Sequence, residues 1–81
     1  MENNKFKTSK DLHLTAYLIA AGLELEDSFW DGRTCYFLIR EHPDIARIER
    51  GYWNGDGQVG GRAFADSLRR LQDIIHNSKN G

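Results

Sequence analysis

Asp31-Gly32 interrupts two runs rich in aromatic and branched residues, and this dipeptide constrains the fold more than any other feature of the chain. Asp-Gly between such runs is a strong hairpin signal. The hairpin is expected over Leu23 to Arg40, and the rest of the chain packs on its apolar face. Two registers compete. A two-residue loop would mix Glu24 and Glu26 with Phe37 and Ile39 on one face. A three-residue loop, Trp30-Asp31-Gly32, places Gly32 at a left-handed bulge position, where glycine carries no steric penalty. It sets Phe29 opposite Arg33, Leu25 opposite Phe37 and Leu23 opposite Ile39. Burying a bare carboxylate costs several kcal/mol, so the three-residue loop is expected. Leu23, Leu25, Phe29, Cys35, Phe37 and Ile39 then face inward. Glu24, Glu26, Ser28, Thr34, Tyr36 and Leu38 face outward, with Trp30 at an exposed tip. A lone two-stranded hairpin is marginal in water, so helices must cover the inner face.

Those helices are legible on both sides of the hairpin. Thr8 and Ser9 are expected N-caps for a first helix running from about Ser9 to Ala21, with Gly22 as its C′ residue. Its second half is apolar nearly all round, the mark of a buried helix. A second helix is expected to start at His42-Pro43-Asp44, with Pro43 at the first helical position. Ile45, Ile48 and Tyr52 form its apolar stripe, and Asn54-Gly55-Asp56-Gly57 ends it. Val59 reads as a small core plug. A third helix, from about Arg62 to His76, carries Phe64, Leu68, Leu71, Ile74 and Ile75 on one face. The expected order is α-β-β-α-α: an α+β fold with a two-stranded antiparallel hairpin packed on three helices. Residues 1–7 read as a flexible N-terminus, residues 8–76 as one domain and residues 77–81 as a disordered tail.

The segments FKTSKDLHLTAYLIAAGLEL, the DGR turn followed by CYFLI, and YWNGDGQVGGRAFADSLRRLQDII resemble a small bacterial and phage family known only as a domain of unknown function. The resemblance covers roughly Phe6 to Ile75. It implies a capped first helix, a short hairpin and a final amphipathic helix, and a prokaryotic or mobile-element origin. It brings no catalytic residues.

Composition limits the function classes. The 81 residues carry 40% hydrophobic and 28% charged side chains, as one small globular domain does. A net charge of −1 supplies no overall basic field for nucleic acid. No run approaches the roughly 18 apolar residues of a membrane span, and MENNKFKTSK lacks the apolar core of a secretory signal. Cys35 is the single cysteine, which points to a cytoplasmic setting.

Chemistry-bearing motifs each meet a plainer explanation. Gly55-Asp56-Gly57-Gln58-Val59-Gly60 matches GxGxxG, but a dinucleotide site needs a strand before it and a βαβ unit around it. Its expected role is an interhelical turn, although the N-terminus of the third helix, with Arg62, could hold an anion. A calcium loop counted from Asn54 ends on Ala65, where a bidentate Glu is required. His13, His42 and His76 are scattered and lack metal spacing. Cys35 sits between core residues rather than in the electropositive, accessible setting a reactive thiolate needs. No cofactor, metal or catalytic residue is expected.

The aromatics are the better clue. Trp30, Tyr36 and Leu38 are not needed by the core, Trp53 either stands outside it or caps it from the side, and aromatics outside a core are enriched in interface hot spots. The expected function is a non-enzymatic protein-binding module, with self-association as a homodimer through the hairpin as one form. The alternative is a nucleic-acid accessory protein that uses Arg62, Arg69 and Arg70 with exposed aromatics.

Overall fold

A computed structural model of the chain describes residues 5–55 and 57–80, with side chains through Ser78. Residues 1–4 of the flexible segment expected over residues 1–7, Asp56 in the glycine turn and Gly81 in the tail lie outside the described residues. The fold is α+β. In chain order it contains β1 (Phe6–Ser9), α1 (Leu12–Ala20), β2 (Leu25–Trp30), β3 (Cys35–Arg40), α2 (Ile45–Asn54) and α3 (Gly61–Asn80). The sheet has three strands, not the expected two, in the order β1-β3-β2, and both pairings are antiparallel.

The additional strand is made by residues that read as helix cap and frayed terminus. Phe6 pairs with Arg40, Lys7 with Ile39, Thr8 with Leu38 and Ser9 with Phe37. Thr8 and Ser9 therefore do not cap α1. Asp11 does, its carboxylate accepting from the Leu14 N–H at 3.0 Å. Buried Ser9 and fully buried Thr15 lock strand to helix. Thr15 Oγ1 donates to the Asp11 carbonyl at 2.7 Å and lies 2.8 Å from Ser9 Oγ. Such hydroxyls are tolerated in a core because both find partners.

Helix α1 is buried all round through Leu14, Thr15, Ala16, Tyr17 and Leu18, as its composition implies. Gly22, at φ 106°, ends it in the left-handed region. Helix α2 starts later than expected. Asp44 is its N-cap and Pro43 lies before the cap, in the turn closed by the Ile45 N–H on the His42 carbonyl at 3.0 Å. Its stripe of Ile45, Ile48 and Tyr52 packs, with Val59, against the cluster of Leu14, Tyr17, Leu18, Leu23 and Ile39. Helix α3 continues through Asn80, past the expected end at His76 and through most of the segment read as a disordered tail. Fully buried Leu71 anchors it to Ala16, Cys35 and Phe37, flanked by Phe64, Leu68, Ile74 and Ile75.

The helices share one side of the sheet. The result is a slab of 38 × 36 × 17 Å, a two-layer arrangement in which, among the described residues, one broad sheet face receives no covering element.

Candidate functional site

Strand alternation decides what that open face carries. In β3, Cys35, Phe37 and Ile39 point into the core, and Tyr36, Leu38 and Arg40 point away from it. Antiparallel partners directly opposite share a face. Phe6 and Thr8 therefore lie beside Arg40 and Leu38 on the outer side, and Lys7 and Ser9 lie on the inner side.

Strand β2 departs from the expected register. Leu25 pairs with Ile39, but Asp27 pairs with Leu38, Ser28 with Phe37, Phe29 with Tyr36 and Trp30 with Cys35. A bulge between Leu25 and Asp27 absorbs one residue. The physical cause is the polar triplet Glu26-Asp27-Ser28. A regular strand with Leu25 and Phe29 both inward would drive the Asp27 carboxylate between them, into the core. The bulge keeps Glu26 and Asp27 both exposed, and it reverses the facing of everything after them.

Two expectations are corrected by this shift. Phe29 belongs to the outer face, 48% exposed, with its ring stacked on Tyr36 at a centroid separation of 5.0 Å and an interplanar angle of 21°. Trp30 is not at an exposed tip. It is half-buried and packs against the cluster of Ala16, Cys35, Phe37 and Leu71. The loop is the four residues Asp31 to Thr34, which starts one position and ends two positions beyond the expected three-residue loop Trp30-Asp31-Gly32. Asp31 Oδ1 accepts from the Arg33 N–H at 2.9 Å and the Thr34 N–H at 2.8 Å, and Gly32 takes φ 100°. Those backbone donors from Thr34 and Arg33 hold the Asp31 carboxyl below its usual range.

The outer face thus has an apolar centre of Phe29, Tyr36 and Leu38, with Phe6, 41% exposed, on the β1 strand. One end is ionic. Arg40 Nε lies 2.6 Å from Glu26 Oε2 and 3.5 Å from Glu24 Oε1. The Arg40 hydrogen bond lowers the Glu26 pKa, and the same bond raises that of Arg40. This pairing neutralises one of the acids along the β2 edge.

The remaining residues singled out by sequence lie elsewhere. Trp53 is 62% exposed on α2, its ring set edge-on to Tyr52 at 4.9 Å, and takes no part in the sheet face. Arg62 is exposed in the first turn of α3. Arg69 and Arg70 line a shallow groove of about 380 Å³ with Asp66, Asp73, Ile74 and Asn77. Two carboxylates offset two guanidiniums there, so the groove lacks the basic field that phosphate backbones require. All three arginines lie on α3, whereas Trp30 and Tyr36 lie on the sheet and Trp53 on α2. Cys35 is buried, and desolvation pushes its thiol up, away from the thiolate a nucleophile needs. Among the described residues no cluster of three or more His, Cys, Asp or Glu side chains could hold a metal ion, and no helix is long and apolar enough to cross a membrane.

Sequence reasoning missed Phe6 and Phe29 on this face. The signal for Phe29 was present: three consecutive polar residues inside a strand that otherwise alternates. Phe6 carried no comparable signal, because a four-residue edge strand holds too few positions for a period.

No protein-family model, no curated protein and no solved structure matches the chain.

Proposed function

We propose that the chain is a non-enzymatic interaction module and that its open sheet face binds a second copy of itself. The observation that carries this is the half-exposed Phe29–Tyr36 stack at the centre of a three-stranded face that no described element covers. Rigid aromatics supply large contact area at low entropic cost, and they dominate interface energetics.

Self-association is favoured over a foreign partner by the distribution of charge. Exposed Lys5 and Lys10 bracket β1 on one edge, and exposed Glu24, Glu26 and Asp27 line β2 on the other. A two-fold axis parallel to β3 sets the β1 edge of one copy over the β2 edge of the next, twice. An isologous interface requires this kind of self-complementarity. The apolar centres of Phe29, Tyr36, Leu38 and Phe6 then meet across the axis. In this proposal the module works in the cytoplasm, where the lone Cys35 thiol stays reduced.

The test is sedimentation velocity across a micromolar to millimolar series on the wild type and Tyr36→Asp. The proposal expects a dimer that the variant converts to monomer with unchanged circular dichroism. A wild type that stays monomeric throughout the series contradicts it.

A further inference from the structure

A second site lies in the helical layer, away from the open face. Tyr17, Ala20 and Ala21 of α1, Arg47, Ile48, Arg50, Gly51 and Asn54 of α2, and the loop from Gly57 to Gly60 enclose a cleft of about 780 Å³. That volume is in the range of small-molecule sites. No carboxylate lines it among the described residues, whereas two guanidiniums do. Arg47 is shared with Asp44 at 3.3 Å, and Arg50 has no partner among the described residues.

Helix α3 begins at this wall. The Phe64 N–H donates to the Gly60 carbonyl at 2.9 Å, which makes Gly60 the N-cap. Glycine has no side chain with which to satisfy the first N–H groups of a 20-residue helix. A helix start of this kind favours an anion.

The independent observation is Tyr17. The residue is only 8% exposed, its ring packed in the core, and its hydroxyl opens into the cleft between Gly51 and Gly57, where it hydrogen-bonds no described residue. Glycine keeps the space for this hydroxyl, since a Cβ on Gly57 would clash with it.

The geometry points to a binding site for a small phosphate-bearing molecule with an apolar body. Arg47, Arg50, the Tyr17 hydroxyl and the first turn of α3 receive the phosphate. Ala20, Ala21, Ile48 and Val59 contact the body. The glycine loop thus holds an anion without the strand that a dinucleotide fold supplies, and the site is independent of the sheet face.

The experiment is an amide NMR titration of the full chain at fixed ionic strength with inorganic phosphate and with adenosine monophosphate. Expected are saturable shifts confined to Arg47–Asn54 and Gly57–Ala63, with the nucleotide tighter than phosphate. Tyr17→Phe weakens nucleotide binding about ten-fold, the worth of one hydrogen bond to a charged group. Arg50→Gln, an exposed change that leaves the fold intact, weakens it at least as much. Phe29→Glu leaves it unchanged. Shifts scattered over the surface and linear in concentration overturn the proposal. Binding that both Tyr17→Phe and Arg50→Gln leave unaltered also overturns it.

Discussion

Phe29 and Tyr36 sit directly opposite each other across β2 and β3, their rings stacked at 5.0 Å on the side of the sheet that no described helix covers. The stack is half in water, so it does little for folding compared with what it offers a partner. Phe29→Ala is expected to change the unfolding free energy by under about 1 kcal/mol, while lowering self-association at least ten-fold. Denaturant unfolding and sedimentation on the same sample check both. A large loss of stability would make the stack a folding element.

Leu71→Ala should behave in the opposite way. Leu71 is fully buried and holds α3 against Ala16, Cys35 and Phe37. Its truncation is expected to cost about 2–5 kcal/mol. Urea unfolding measures this, and the self-association of the fraction still folded should not change.

Gly57→Ala forces a methyl group into contact with Tyr17 Oη and within 3.0 Å of the Gly51 carbonyl carbon. A loss of about 1–3 kcal/mol is expected from overpacking. The loss should be smaller in a Tyr17→Phe background, because the nearest clashing atom is gone. Equal losses in both backgrounds would place the strain in the backbone instead.

The acid side of the stability profile should depend on the β2 edge. Arg40 lowers the Glu26 pKa in the folded chain, and the turn amides of Thr34 and Arg33 lower that of Asp31. A depressed folded value means the unfolded chain binds more protons, so stability rises with pH through this region. The contribution is present above the ordinary carboxylate value and is lost as pH falls through the lowered folded one. Both groups are exposed, so salt should reduce the effect. Glu26→Gln and Asp31→Asn are each expected to flatten the acid limb of thermal stability against pH and to leave the neutral plateau nearly level. An unchanged acid limb would mean that these carboxylates titrate alike in both states.

How much of this could be read from sequence follows from the length of each signal. The α3 stripe and the buried α1 were legible because their periods run over many residues. So was the stop at Gly55, which takes φ 79° at the end of α2. The α+β class followed from the same patterns. Strand β1 was not legible: Phe6-Lys7-Thr8-Ser9 offers one apolar residue, and its hydroxyls mimic a helix cap. Phe29 faces opposite to the side that strict alternation implies, because the bulge breaks that alternation within Glu26-Asp27-Ser28. Trp30 moved inward for the same reason. Tyr36 and Leu38 kept their predicted side, since β3 has no bulge and the parity of its core residues fixes theirs. The cleft around Tyr17 depends on the close approach of Gly51 and Gly57, a tertiary contact that no local pattern encodes.

The most direct test of the account is an isotope-filtered NOE experiment on a mixture of labelled and unlabelled chains. The account predicts intermolecular contacts linking the rings of Phe29 and Tyr36 to Leu38 and Phe6 of the second copy. A spectrum with no intermolecular contacts at millimolar concentration, or with contacts only at the helical layer, would contradict it.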